Sequence, residues 1–349
     1  MNRFELVTRD EFLISIVGIG GCGCNAVNML YEMGVNKHAS LIAINTDSAA
    51  LDHCTLDNKL LIGENLTHGY GAGADPDIGL EAAKESRKGI LEYIQRCDFV
   101  ILVAGLGGGT GTGATPYIAE LAGELGKPCI CVATLPFESE GKMRMEYAVQ
   151  GLDALTQKNN SLIALPNENL ITALGESVGL FSAFKHSNEM LQSIISSLIA
   201  LLTETGMINV DFNDFCNVMS HQGNAILGVG RSASEESALD ALNNAVNNPL
   251  ASCGNLKNAK GIILQINCRE EISMATYNAL TTQVRDSSDT RALILCGVAL
   301  MPDMSDALEV LVIATGVGDS SEEPVSTNVE YLGDDPILDI PTFLRNQGS

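Results

Sequence analysis

Apolar positions alternate between two rhythms through the first half of the chain. Short unbroken runs read as buried strands: "FLISIVGI" (12–19), "SLIAINT" (40–46), "DFVILVAG" (98–105), "PCICVATL" (128–135) and "SLIALP" (161–166). Between them, "NAVNMLYEMG" (25–34), "GLEAAKESRKGILEYIQRC" (79–97) and "TPYIAELAGELG" (115–126) carry helical spacing. Strand–helix alternation of this kind predicts an α/β fold, a doubly wound and mostly parallel sheet over about residues 10–175. One long apolar-faced helix follows at about 178–203. The pattern then changes to an α+β order: a helix near 212–220, the run "GNAILGVGRSA", a helix near 235–247, and strands "GIILQIN", "RALILCGVAL" and "LEVLVIATGV". From Asp319 the text is polar and acidic, as in a flexible tail, and "PILDIPTFLRNQGS" is apolar again. The predicted division is therefore 1–177, 178–203, 204–318, 319–335 and 336–349.

Composition narrows the function. Apolar residues make up 46% of 349, enough for sizeable cores, but Trp is absent, so those cores rest on aliphatic side chains. Twenty basic against 43 acidic residues give a net charge of −23. That excludes nucleic acid as a partner and a polybasic membrane patch. No segment is apolar and long enough for direct membrane insertion, and "MNRFELVTRDEF" has no apolar signal core, so a reducing cytoplasm is expected. The ten cysteines include the pairs Cys22/Cys24 and Cys129/Cys131. With no C-x-x-C and no accompanying His set, they read as small buried residues, and no metal site is expected from the protein.

The glycines carry the chemistry. In "SIVGIGGCGCNAV", Gly18, Gly20 and Gly23 fit G-x-G-x-x-G, and Asp47 stands where a dehydrogenase keeps its ribose-binding acid. A second run, Gly107, Gly108, Gly109, Thr110, Gly111, Thr112 and Gly113, follows another strand and opens another helix. A third, "GYGAGADPDIG", holds Gly71, Ala72 and Gly73 and also ends at a helix start. A dehydrogenase needs one such turn. Three suit a triphosphate held by backbone amides and helix N-termini, which is also how so acidic a chain binds one. No G-x-x-x-x-G-K-[ST] occurs, so this is not a P-loop.

"GGGTGTG" is the signature of the tubulin/FtsZ GTPase family, which the chain resembles, and the resemblance is to its bacterial cell-division members. It extends through "VGIGGCGCNAVNML", "AINTDSAAL", "GAGADPDIG", "TLPFESEGKMRM", "IALPNENL", "NVDFNDF" and "VMSHQGNAILGVGRS", in order over about residues 12–318. The resemblance implies GTP and GDP as ligands, with Mg2+ held mainly by the nucleotide. It gives a phosphate turn at Gly20, Gly21, Cys22, Gly23, Cys24 and Asn25. Glu140 and Arg144 face the ribose and phosphates, although alone they read as an i,i+4 helix pair. Asn167, alone a turn residue, becomes a ribose or base contact. Phe184 stacks on a base that Asn188 and Glu189 read; the family has Asp where Glu189 stands, but a carboxylate still accepts both guanine donors, so guanine is the expected base.

Asp211 and Asp214 share one face of a turn and read at once as first-turn helix acids and as a pair able to polarise water. The long helix spans ~39 Å and carries them away from their own phosphate turns. The resemblance resolves this by assembly: Asn209, Asp211 and Asp214 enter the nucleotide pocket of the next copy in a head-to-tail filament. In "DDPILDIPTFLRNQ", Ile340, Phe343 and Leu344 stand at i, i+3 and i+4, with Pro341 suited to a first turn. By resemblance this peptide, with Arg345, binds membrane tethers and division-ring regulators. Two alternatives remain at the level of sequence. One is a non-hydrolysing scaffold that co-assembles with a relative, raised by Glu189 and by Leu135 before Pro-Phe. The other is the dehydrogenase, which leaves "GGGTGTG" unexplained.

Overall fold

The computed structural model describes residues 12–35, 39–157, 161–169, 179–203, 207–208, 210–219, 224–247, 256–302 and 304–317. Asn209, the linker 319–335 and the terminal peptide with Ile340, Pro341, Phe343, Leu344 and Arg345 lie outside these residues.

The strands are β1 (Ile14–Ile19), β2 (Ser40–Asn45), β3 (Lys59–Leu61), β4 (Phe99–Gly105), β5 (Cys129–Leu135), β6 (Ser161–Pro166), β7 (Asn224–Ser232), β8 (Gly261–Cys268), β9 (Leu293–Leu300) and β10 (Leu308–Val317). They form one sheet in the order β3-β2-β1-β4-β5-β6-β7-β10-β8-β9. Every pairing is parallel except the two made by β10. Order 3-2-1-4-5-6 reverses direction at β1, and a doubly wound sheet takes its ligand at such a crevice, beyond the carboxyl ends of the strands. The change of pattern after residue 204 does not interrupt the sheet: β7 pairs parallel with β6 through Leu162–Asn224 and Ile163–Ala225, and the strand direction reverses only at β10.

The helices are α1 (Gly20–Glu32), α2 (Ser48–Asp52), α3 (Glu64–Thr67), α4 (Pro76–Glu85), α5 (Arg87–Ile94), α6 (Thr110–Glu124), α7 (Lys142–Gln157), α8 (Leu180–Thr203), α9 (Phe212–Met219), α10 (Ala238–Val246) and α11 (Met274–Asp286). Among the described residues, no helix is long and apolar enough to cross a membrane. Two differences from the sequence reading bear on the site. Helices α1 and α6 begin at Gly20 and Thr110, five residues ahead of the expected starts, so their glycines form first helical turns. The single helix expected over 79–97 starts at Pro76 and breaks at Ser86, whose hydroxyl accepts the Gly63 N–H at 3.0 Å. Helix α11 was not expected: only Leu280 and Val284 of its face are buried, too few to show as a stripe, and its remaining signal was the Ser273 cap on the Thr276 N–H.

Alternation along the strands divides the core into layers. Ile14, Ile16, Phe99, Ile101 and Val103 face α1, α8 and α9, in a cluster that runs on to Leu311 and Ile313. Val17, Ile19, Val100, Leu102 and Ala104 face α4, α5, α6 and α7. A third cluster packs α10 and α11 on β7, β8 and β10. At the amino ends of β1 and β4, Phe99 meets Phe215 at 5.6 Å and Phe212 at 5.9 Å, and Phe212 meets Phe12 at 4.4 Å between ring centroids. Phe215 is fully buried there, so Phe215→Ala is expected to cost ~3–5 kcal/mol, read as a lower urea midpoint with unchanged slope. A loss below ~1 kcal/mol would mean that this aromatic anchor is not structural.

Candidate nucleotide site

The Gly-rich segments predicted from sequence converge at the carboxyl ends of β1, β2 and β4. Gly20 takes φ +70, and a Cβ there would stand 3.0 Å from the Gly111 amide nitrogen, so the first turns of α1 and α6 touch through backbone. A Cβ at Gly109 would lie 2.8 Å from both the Ala72 Cβ and the Asp75 carbonyl oxygen, which brings the 71–75 turn onto the same edge. Hydrogen bonds tie in the end of β2. Thr46 Oγ1 meets Thr110 Oγ1 at 2.7 Å, and the Thr46 carbonyl accepts from Gly71 N–H at 3.1 Å and Thr67 Oγ1 at 3.2 Å.

This edge has the electrostatics of an anion site. The first four amides of a helix have no intrahelical acceptor, and their dipole end is positive. Neither α1 nor α6 has an acid in its first turn, although the chain carries 43 acids. At Gly21 and Gly108 the space a Cβ would point into is open, so a ligand can approach the backbone. The threonine hydroxyls of this run make contacts within the protein: Thr110 Oγ1 with Thr46 Oγ1 at 2.7 Å, and Thr112 Oγ1 accepting the Gly107 N–H at 2.9 Å. Asp47 likewise caps α2, accepting the Ala50 N–H at 3.1 Å. The first-turn amides of α1 and α6 are the groups this edge gathers for an anion.

A continuous strip leads from this edge to a second group of residues. The Arg144 carbonyl abuts Gly107, and the Arg144 guanidinium donates to Glu140 Oε2 at 2.6 Å. Glu140 Oε1 accepts the Phe137 N–H at 3.0 Å, and the Phe137 ring meets Phe184 edge-on at 5.1 Å. Asn167, nearly buried after β6, donates its backbone N–H to Leu135 at 3.2 Å and accepts the Ser187 hydroxyl at 2.7 Å. Glu189 is exposed and pairs with His186 Nδ1 at 3.1 Å and Lys185 Nζ at 3.6 Å; Asn188 is half-buried beside it. Sequence reasoning missed Thr46, Phe137 and Ser187. The first stood in the quoted "AINTD" beside the residue chosen, and the other two reveal themselves only through partners distant in sequence.

The acidic pair lies elsewhere. Asp211 and Asp214 are exposed at the start of α9, where Asp211 accepts the Asn213 N–H at 2.8 Å as its cap. Phe212 between them seats on Phe12 and Phe99, at the amino ends of β1 and β4. Ile208 exchanges backbone hydrogen bonds with Val298 of β9 at 3.3 and 2.9 Å. The pair and the glycine edge therefore occupy opposite ends of the parallel strands, ~20 Å apart along β4 alone. Among the described residues, no group of three or more His, Cys, Asp or Glu could hold a metal ion.

The two cysteines of the first turn are structural. Cys22 is half-buried between Gly105 and Thr134, its Sγ 3.5 Å from Thr134 Oγ1, and burial raises its pKa. Burial pushes Cys24 up to about 12; its thiol donates to the Ile44 carbonyl at 3.5 Å. At pH 8 its thiolate should be on the order of a thousand-fold scarcer than in the unfolded chain. Iodoacetamide is thus expected to alkylate Cys24 only after denaturation, by peptide mass mapping. Rapid labelling of the native protein would show an accessible, activated thiol instead.

The chain is similar to known proteins over most of its length. Residues 13–175 match the family described as "Tubulin/FtsZ family, GTPase domain", and 223–318 match "FtsZ family, C-terminal domain". The chain is 38% identical over 324 residues to the cell division protein FtsZ of Azotobacter vinelandii, covering 92% of this chain and 82% of that protein. It is 38% identical over 367 residues to that of Pseudomonas aeruginosa, covering 99% and 92%. Among solved structures it is similar to an empty FtsZ dimer of M. jannaschii, with TM-score 0.83, 38% identity and coverage of 89% and 90%. The GDP-bound CetZ1 monomer of Haloferax volcanii shares the fold, with TM-score 0.77 at 19% identity.

Proposed function

The chain belongs to the FtsZ branch of the tubulin/FtsZ family, and from that membership we infer that it is a self-assembling GTPase of bacterial cell division, hydrolysing GTP to GDP and phosphate. One observation carries the mechanism. The glycine edge and the acidic pair stand at opposite ends of the same strands, so neither end is a complete active site. Head-to-tail contact brings Asp211 and Asp214 of one subunit, with Asn209, onto the glycine edge of the next. Such a contact extends into an open filament when its rotation does not close.

Each residue then has a chemical task. The first-turn amides of Gly20–Asn25 and of Gly107–Gly113, with the 71–73 turn, hold the phosphates and stabilise charge that develops on them. Glu140 and Arg144 flank the ribose and phosphates. Phe184 offers a ring face to the base, and Asn188 and Glu189 read its edge. Asp214, with Asp211, accepts a hydrogen bond from the attacking water and orients it in line with the terminal phosphate. The family resemblance implies a Mg2+ ion that accompanies the nucleotide and would supply countercharge for its phosphates. The family reading further assigns the terminal peptide around Ile340–Arg345 to membrane tethers and ring regulators, and the filament to the cytoplasm at mid-cell.

GTP turnover per subunit is expected to be near zero at low protein concentration and to rise above a threshold where light scattering appears. Asp214→Ala should lower turnover at least ~100-fold while leaving guanine-nucleotide binding intact. Turnover that is independent of concentration would place the whole active site in one chain and overturn the shared-site mechanism.

A further inference from the structure

Ser187 is the polar residue of this region with no task so far. It lies in the second turn of α8, buried to 6% exposure. A serine inside a helix ordinarily returns its hydroxyl to the carbonyl four residues earlier. Here it reaches out of the helix to the turn after β6 and donates to Asn167 Oδ1 at 2.7 Å. Asn167 is itself 7% exposed, and its backbone is pinned by the N–H donated to Leu135 at 3.2 Å.

This bond decides which way a buried amide faces. A primary amide has an acceptor side and a donor side, and the acceptor side is taken by Ser187. The NH2 group is turned the other way, and it is not among the buried polar atoms left without a partner. Its donors are therefore open to an acceptor that arrives with a ligand on that side. The neighbours agree with a ligand on that side. Phe184, one turn before Ser187 and 39% exposed, is braced edge-on by Phe137, whose backbone holds Glu140. The same short helix segment therefore presents a ring face and fixes an amide.

We propose that Ser187 is a positioning residue for the nucleotide: it locks Asn167 as a donor, so that the Asn167 NH2 takes an acceptor atom of the purine nucleoside, a ring nitrogen, a carbonyl oxygen or a ribose oxygen. The inference rests on the nucleotide-site reading above and adds to it the direction of one hydrogen bond and the residue that sets it. Ser187 acts through Asn167 and touches neither phosphate nor water, so its removal weakens nucleotide binding and leaves the chemical step alone.

The test uses the full chain, a fluorescent GDP analogue, and protein below the assembly threshold. Ser187→Ala is expected to raise the dissociation constant about 5- to 20-fold. Turnover per subunit at saturating GTP, well above the threshold, should stay within about twofold, and so should the nucleotide-free thermal midpoint stay within about 2 °C. In an Asn167→Ala background the same change should have no further effect, because Ser187 would then have nothing to orient. Asn167→Asp, which offers an acceptor where a donor is required, should bind more weakly than Asn167→Ala. An unchanged dissociation constant for Ser187→Ala overturns the proposal, as do additive effects in the cycle or tight binding by Asn167→Asp. Failure of the unmodified chain to bind the analogue would instead overturn the site reading on which the proposal stands.

Discussion

Backbone-to-backbone contact at the strand ends is the constraint on which this site depends. A chain with net charge −23 has few cations to give to a polyphosphate. It must gather amides, and amides gather only where helices can start against one another without side chains between them. Gly20 against Gly111, and Gly109 against the 72–75 turn, are the contacts that allow it. The absence of acids from the first turns of α1 and α6 is the electrostatic half of the same solution. Without it, a local carboxylate would occupy the positive helix end that the ligand needs.

The second constraint is length. Helix α8 carries Phe184, Ser187 and Glu189 at its beginning and runs ~36 Å to Thr203, ahead of Asp211 and Asp214 in the chain. In the proposed filament its two ends would serve two different nucleotides, one bound by the chain itself and one bound by its neighbour. A nucleotide enclosed at such a contact contributes to association, and association by the same linkage tightens the nucleotide. In that proposed arrangement hydrolysis would change the occupant of the contact and so couple assembly to turnover.

Much of this was legible in the sequence because parallel strands buried on both faces leave long apolar runs. Strands β1, β2, β4, β5 and β6 fall inside the runs read for them. The helix starts were not legible. Glycine is a poor helix former, so "GGCGC" and "TGTG" read as loops, whereas tertiary contact makes them first helical turns. Helices α7 and α11 lack a wide apolar stripe because each buries few residues, Ala148, Gly151 and Leu155 in one and Leu280 and Val284 in the other. At the site, residues inside a motif could be named from spacing. Thr46, Phe137 and Ser187 could not, because their meaning lies in a partner 64, 47 or 20 residues away.

One contact explains why α8 can serve both ends with a fixed geometry. Apolar packing alone tolerates several seatings of a helix on a sheet. Here the helix also presents Ser193 and Ser197 to a polar group on the sheet. Glu309 of β10 lies opposite Arg231 of β7 and Asn267 of β8 in the strand register. Its carboxylate accepts from Arg231 Nε at 2.8 Å, from Asn267 Nδ2 at 3.2 Å and from Ser197 Oγ at 3.2 Å. Arg231 in turn donates to Ser193 Oγ at 3.1 Å. A one-residue slip of α8 would carry both serines off these partners and leave Glu309, 8% exposed, short of a donor. The cost of that slip is what holds Phe184 and Ser187 level with the glycine edge while the other end of the helix delivers the acidic turn.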